Sequence, residues 1–375
     1  YANDGAGSFT DVSDSVVDQR HLFGMAHTFG DFNLDGRLDL YAIGMSSTTA
    51  RRLDGLQLRR PDRRDVDKMR AAMAYGNRMY LNDGSRFATP KFADQVARTG
   101  WSWGTTSFDY DLDGDEDVYV ANGFRSGDSC TDYCSTYWRH DLYTGNSTPN
   151  PAVAALFRDA MSDLNAGAIS WNGFEHNALL QNLGGEAFAN VGFLLGVGFE
   201  YDSRAVVGGD LDGDGLPDLM VAEYQFAGRG FLMKLHVYRN TLETQNHWLG
   251  VRLEEPAPGG LNGTKVRLQT GDRQQVRQLV TGDSFMSQHA NAVHFGLGSQ
   301  TTVDRVTIEW PDGSTFELTE PKIDRYHTVS GKEDGVAADD GRERSDRRQG
   351  KRVSIASAKK DLNQAIEYGP AAKAK

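Results

Sequence analysis

Three stretches of the chain repeat one pattern of apolar and polar positions. Met25 to Phe32, Ser102 to Tyr110 and Arg204 to Leu211 are short runs rich in strand-favouring residues. Each runs into an acidic nonapeptide: DFNLDGRLD (Asp31 to Asp39), DYDLDGDED (Asp109 to Asp117) or DLDGDGLPD (Asp210 to Asp218). A second apolar run follows each, LYAIG, VYVAN or LMVAE. Short apolar runs bounded by turn residues read as buried strands. The residue five before the first Asp is small in every copy (Ala26, Gly104, Ala205), which fits a crowded inner strand.

A second repeated element is a strand, a Gly-rich turn and another strand. It occurs as NRMYLNDGSRFATP from Asn77, NALLQNLGGEAFANV from Asn177 and YANDGAGSFTDVS from Tyr1, with a partial copy, LHVYRN, ending at Asn240. One unit is therefore four antiparallel strands, the blade of a β-propeller. The chain predicts a half blade at Tyr1, two full blades (Met25 to Ala93 and Ser102 to Val191) and a last blade from Arg204, its outer strand drawn from Trp248 to Leu253: about three and a half blades. Closed propellers usually have about 4–8 blades. An open arc exposes strand edges, so the missing blades are expected from an upstream segment or from another chain.

Further alternating runs at Trp248–Leu253, Thr264–Gln269, Gln275–Val280 and Ala292–Phe295, then Val306, Ile308 and Trp310 before a Pro-Asp-Gly turn with Phe316 and Leu318 beyond it, predict a second, compact all-β module. The fold class is all-β. The expected organisation is 1–245 for the blades, 246–330 for the second module and 331–375 for a charged, flexible tail. Two insertions, 45–76 and 123–176, lie between the second and third strands of their blades. A helix is predicted at Pro151 to Leu164 from the spacing of Val153, Leu156, Phe157, Met161 and Leu164.

Composition narrows the function. The 375 residues carry a net charge of −12, which argues against general nucleic-acid binding. No apolar run is long enough to span a membrane. Cys130 and Cys134 lie four apart in CTDYC, and a local disulfide in an oxidising compartment is the favoured reading. Residues 45–76 hold eight Lys/Arg against four Asp/Glu, among them Arg51, Arg52, Arg59, Arg60, Arg63 and Arg64. That patch offers contact to an anionic partner such as an acidic glycan. Asn146-Ser147-Thr148 and Asn262-Gly263-Thr264 fit the glycosylation pattern.

The acidic loops carry the clearest chemistry. Oxygen ligands at positions 1, 3 and 5, a Gly at 6, a carbonyl at 7 and a carboxylate at 9 can wrap one hard cation; calcium takes about 6–8 oxygens. Asp31, Asn33, Asp35, Arg37 (carbonyl) and Asp39 form the first expected site. Asp109, Asp111, Asp113, Asp115 (carbonyl) and Asp117 form the second, and Asp210, Asp212, Asp214, Leu216 (carbonyl) and Asp218 the third. An EF-hand needs Glu at position 12, where this chain has Ala42, Val120 and Val221 in strand patterns. About three calcium ions, structural in role, are expected.

These loops, with the Tyr1 hairpin, resemble FG-GAP/VCBS repeats. Asn246 to Leu318, from NHWL through SQHANAVHFGLG to the V-x-x-V-x-I-x-W-P-D-G end, resembles the ASPIC/UnbV domain, and the two together resemble the cartilage-acidic-protein (CRTAC-like) family. The resemblance implies a secreted calcium-binding propeller of about seven blades with a C-terminal β domain. Its localisation is accordingly secreted: extracellular or periplasmic.

Both insertions are expected on the face opposite the calcium loops. A ligand pocket there is read from His27, Trp101, Trp103, Trp138, His140, Glu175 and His176, since aromatics with convergent polar groups build sites for sugars or small ligands. His289 and His294 read as satisfied strand residues. No G-x-S-x-G, H-E-x-x-H, P-loop or Rossmann fingerprint is present. The favoured function is a non-enzymatic extracellular scaffold or adhesion protein. The alternatives are an enzyme acting on a glycan or small molecule in that pocket and a subunit of a larger assembly.

Overall fold

Strands are continuous where the apolar runs are continuous. In the computed structural model, which describes residues 1–59, 62, 64–143, 150–227, 230–254, 259–331 and 338–339, the hairpin β1 (Ala2–Asn3) and β2 (Phe9–Thr10) comes first, fully exposed, before the short helix α1 (Ser13–Val16). The first blade is β3 (Gly24–Gly30), β4 (Asp39–Gly44), β5 (Arg78–Asn82) and β6 (Phe87–Ala88), paired in that order, with α2 (Thr48–Gly55) and α3 (Arg64–Met73) inserted between β4 and β5. After α4 (Ala93–Ala97), the second blade repeats the order with β7 (Ser102–Phe108), β8 (Asp117–Asn122), β9 (Ala178–Asn182) and β10 (Phe188–Asn190). Helices α5 (Cys134–Tyr143) and α6 (Pro151–Ala166) fill its insertion. Every residue of β8 is buried, as a strand sandwiched between blades must be.

The third blade departs from expectation. It holds β11 (Ser203–Gly209), β12 (Asp218–Ala227) and β13 (Gly230–Tyr238), and among the described residues it has no fourth strand. Trp248 to Leu253 does not supply one. It lies in β14 (His247–Glu254), which pairs with β17 (Ala292–Gly298) and, parallel, with β20 (Tyr326–Ser330). After Asn240 the chain has no Gly-rich turn to fold it back, so it leaves the blade.

The second module is two four-stranded sheets: β17-β14-β20-β21, with β21 at Ala338–Asp339, and β16-β15-β18-β19, formed by β15 (Lys265–Thr270), β16 (Arg273–Gln278), β18 (Arg305–Glu309) and β19 (Thr315–Thr319). Their inward residues, among them Leu249, Val251, Val266, Leu268, Phe295, Val306 and Ile308, form one core. Between blades the cores are separate. Phe32, Tyr41, Met79, Phe92, Val118, Leu180 and Phe188 join the first two, and Tyr119, Leu179, Val206, Leu219 and Val221 the second two. The small inner-strand residue has its reason at Gly104, where a Cβ would overlap the Arg204 carbonyl of the next blade.

The expected helix is present, with Asn150 accepting from the amides of Ala152 (3.1 Å) and Val153 (3.3 Å) at its start and Gly167 in the left-handed region at its end. Its apolar stripe is only partly covered: Leu164 is buried, but Leu156 and Met161 are exposed. Arg51, Arg52, Arg59 and Arg64 are exposed, while Arg60, Arg63, the Asn146 glycosylation triplet and the tail from 341 lie outside the described residues.

The disulfide is corrected. Both cysteines are free thiols: Cys134 is buried at the start of α5, 3.5 Å from the Ser47 hydroxyl, whereas Cys130 is exposed in the preceding loop. The first turn of α5 draws the Cys134 side chain into the aromatic core rather than back toward its neighbour, and burial pushes its thiol pKa up to about 11.

Candidate metal centres

All three acidic loops share one backbone. Position 4 is left-handed in each, Leu34 (φ 61), Leu112 (φ 64) and Gly213 (φ 78), and so is position 6, Gly36 (φ 79), Gly114 (φ 92) and Gly215 (φ 89). This double twist turns amides inward onto the position-1 carboxylate. Asp31 accepts from Asp35 N (3.0 Å) and Gly36 N (2.9 Å), Asp109 from Asp113 N (3.1 Å) and Gly114 N (2.8 Å), and Asp210 from Gly213 N (2.7 Å) and Gly215 N (3.0 Å). The amides of Arg37, Asp115 and Leu216 each donate to the position-5 carboxylate at 3.0 Å.

Position 9 is held from two sides. Its carboxylate accepts from the position-2 amide and from an Asn amide at the end of the third strand: Asn82 to Asp39 (2.7 Å), Asn182 to Asp117 (2.8 Å) and Asn240 to Asp218 (2.7 Å). These asparagines stood in the repeat, but their role needed the cross-strand register to be seen.

The electrostatics call for a cation. Ligand oxygens of Asp109, Asp111 and Asp117 lie within 4.8 Å of one another, and so do those of Asp210, Asp212 and Asp218. Burial, then repulsion from the neighbouring carboxylates, pushes Asp117 well above the usual range, and burial does the same to Asp109. Burial lifts Asp39 and Asp115 to about 7 and Asp218 to about 6. The buried Oδ1 atoms of Asp111 and Asp115 accept no hydrogen bond. An all-oxygen donor set with orphaned buried carboxylate oxygens fits a hard divalent ion, because such charges are costly to bury without one. In the first loop Asn33 replaces a carboxylate and Arg37 pairs with Asp35 (2.6 Å). In the third, Arg239 pairs with Asp212 (2.7 Å) and Asp214 (2.8 Å).

The second module seats on all three loops. Arg267 donates to the Gly36 carbonyl (3.2 Å), Arg273 to that of Gly114 (2.8 Å), and Gly298 N to that of Leu112 (2.8 Å). Arg277 lies 3.3 Å from Glu116, whose other oxygen accepts from Asp31 N (2.9 Å). The Trp248 ring packs against Gly215. His294 is half-buried and stacked on Trp248 (5.0 Å), and desolvation of its ring lowers its pKa to about 3. His289 lies 2.8 Å from Asp283, which also accepts from Thr28 (2.9 Å), at the edge of a cavity of about 570 Å³ between module and inner strands.

The residues read as a ligand pocket divide. Trp101 and Trp103 stack at 5.7 Å and share an aromatic cluster with Phe124, Trp171 and Trp138. Glu175 binds this cluster from beneath, accepting from Trp101 N (2.6 Å) and Asn172 Nδ2 (2.9 Å), and burial pushes it up to about 7. The histidines are not gathered there. His27 is exposed beside Phe29 (5.3 Å), His140 meets Phe157 (4.9 Å), and His176 faces the Gly198 carbonyl (3.0 Å) and Glu200 (3.1 Å). Among the described residues no helix is long and apolar enough to cross a membrane.

Comparison with known proteins meets the geometry at two places. The FG-GAP repeat family matches residues 203–233, and the family described as ASPIC and UnbV matches residues 258–336. Cartilage acidic protein 1 of Mus musculus and that of Homo sapiens are each 30% identical over 105 residues, 28% of this chain. The match spans 16% of the mouse protein's length and 15% of the human protein's.

Proposed function

We infer that this chain, an FG-GAP and ASPIC/UnbV protein resembling the cartilage-acidic-protein family, is a secreted calcium-binding scaffold whose ions are structural. Residues 1–245 form its propeller blades and 246–330 its ASPIC/UnbV domain. About three calcium ions are held by Asp31, Asn33, Asp35 and Asp39, by Asp109, Asp111, Asp113 and Asp117, and by Asp210, Asp212, Asp214 and Asp218, with the carbonyls of Arg37, Asp115 and Leu216. The ion neutralises carboxylates that the fold crowds together. The protein's own part is to hold them, through the inward amides of each loop and the asparagine at the end of each third strand.

One observation carries the reading: three loops, far apart in sequence, adopt the same doubly left-handed backbone, and in the second and third of them three carboxylates face one another. Interaction follows from the rest of the surface, with the basic insertion offering a seat for an acidic glycan or protein, and further blades supplied by an upstream segment or another chain. The test is a calcium titration by calorimetry together with thermal unfolding in calcium and in EDTA. Binding of two to three ions and a lower melting temperature in EDTA are expected, since a ligand of the folded state stabilises it by mass action. An unchanged melting temperature with no heat of binding overturns the reading.

A further inference from the structure

Where the second module faces the inner strands of the three blades, it lies over a cavity of about 570 Å³. The floor comes from β3, β7 and β11, with Thr28, Ser107 and Val207 on it. The roof is β16 and the loop after it, with Arg277, Asp283 and His289. The volume is in the range of sites for small organic ligands. Further blades would add to the far wall of the channel and leave this side as it stands.

A polar chain joins floor to roof. His289 Nε2 lies 2.8 Å from Asp283 Oδ1, Asp283 Oδ2 accepts from Thr28 Oγ1 (2.9 Å), and Thr28 Oγ1 lies 3.3 Å from Ser107 Oγ. The carboxylates of the wall are spent. Both oxygens of Asp109 and of Asp210 accept loop amides. Those of Glu116 face Arg277 Nε (3.3 Å) and Asp31 N (2.9 Å). One donor is not spent. Arg277 is only 8% exposed; its Nε faces Glu116 and its Nη1 donates to the Val276 carbonyl (3.1 Å), while its Nη2 is buried and has no hydrogen-bond partner among the described residues. A buried guanidinium nitrogen is costly to leave unpaired, so the site calls for an acceptor.

Charge narrows what that acceptor is. The second acidic loop holds six carboxylates from Asp109 to Asp117, and Asp109 and Glu116 line the cavity. One divalent ion balances two of them, so an anion is repelled whether or not the loop holds its ion. A cation finds no unspent carboxylate and meets Arg277 and Arg252, the latter over the Tyr326 ring (4.1 Å). An uncharged hydroxyl, acceptor and donor at once, remains. Phe29, Phe108, Val207, Met220, Val280 and Val293 give the same walls apolar area for the carbon face of a hydroxylated ring. We propose that this cavity binds an uncharged sugar, with Arg277 Nη2 donating to one hydroxyl and His289, its Nε2 turned to Asp283, offering Nδ1 to a second. The site is separate from the basic insertion and asks for the opposite ligand chemistry, so either can fail without the other.

Saturation-transfer NMR on the full chain tests this, with glucose, galactose, mannose, N-acetylglucosamine, sucrose and trehalose as neutral probes and glucuronate and glucosamine as charged ones. At least one neutral probe is expected to bind, and more tightly than either charged one. Arg277→Lys keeps the charge facing Glu116 and removes the Nη2 donor. Gly209→Leu adds bulk from the cavity wall at a position where a Cβ meets nothing within 4 Å. Each variant should weaken that binding by roughly tenfold or more while keeping the near-ultraviolet circular dichroism of the wild type. If Arg277→Lys does not fold, Gly209→Leu carries the test. Three results overturn the proposal: no neutral probe binds, which leaves ordered water as the partner of Nη2; a charged probe binds more tightly than every neutral one; or Gly209→Leu holds the neutral probe as tightly as the wild type.

Discussion

At the scale of single residues, the aspartates were readable and their partners were not. A D-x-[DN]-x-D-G-x-x-D spacing exposes its ligand chemistry because each oxygen comes from one short loop. Asp113 is exposed, so Asp113→Ala should leave the fold intact and lower calcium affinity at the second loop by about tenfold or more, read by calorimetry. Glu175 was chosen as a site residue from its company, but its environment depends on a long-range contact with Trp101 N that no local pattern contains. Its pKa, about 7 in the folded protein, lies above the ordinary glutamate value. The folded state therefore binds that proton more tightly than the unfolded one. The stabilising effect is complete below the unfolded value, falls away as pH rises toward 7, and is absent above it. Glu175→Gln should flatten that part of the stability profile and raise the melting temperature at pH 8 relative to wild type. Two profiles that run parallel from pH 4 to 8 would show that Glu175 does not titrate in this way. The cysteines failed for the same physical reason: spacing said they could meet, but the start of α5 and the Ser47 contact decided where Cys134 points.

At the scale of elements, the first two blades were legible because strand, acidic loop, strand and hairpin follow one another with local signals. The third was legible only to β13. The alternating run from Trp248 fits any sheet, and its partners lie in β17 and β20, distant in sequence. Glycines in the loops illustrate how element and neighbour combine. Position 4 accepts a side chain, as Leu34 and Leu112 show, and a Cβ on Gly213 would meet nothing within 4 Å. Gly213→Ala should therefore cost only about 1 kcal/mol for its left-handed backbone. Gly215 has the same handedness, but a Cβ there would overlap the Trp248 indole. Gly215→Ala should cost about 2 kcal/mol or more and loosen the module from the third loop. Chemical denaturation followed by tryptophan fluorescence separates the two; equal losses would remove Trp248 from the argument.

At the scale of the whole molecule, the acidic loops are also a seat. The second module touches the first loop through Arg267 on the Gly36 carbonyl (3.2 Å) and the second through Arg273 on the Gly114 carbonyl (2.8 Å). Both carbonyls belong to the position-6 glycine, whose orientation is set by the same turn that points amides at the position-1 aspartate. An ion that orders the turn orders the seat, so ion binding and docking share a coupling free energy, and that coupling is reciprocal. Two consequences can be measured on one protein. Removing both arginines in Arg267→Ala/Arg273→Ala should lower calcium affinity by about three- to tenfold, since hydrogen bonds from charged donors at a partly exposed interface are worth little more than 1 kcal/mol. Conversely, adding calcium to the wild type should slow amide hydrogen exchange in β15 and β16, which carry no ligand for the ion, and should slow it less in the double variant. Exchange of those strands that ignores calcium, alongside a double variant that binds it as tightly as wild type, would make the loops and the module independent neighbours. Loss of calcium binding in the wild type itself would instead strike at the metal centres and leave the contacts standing.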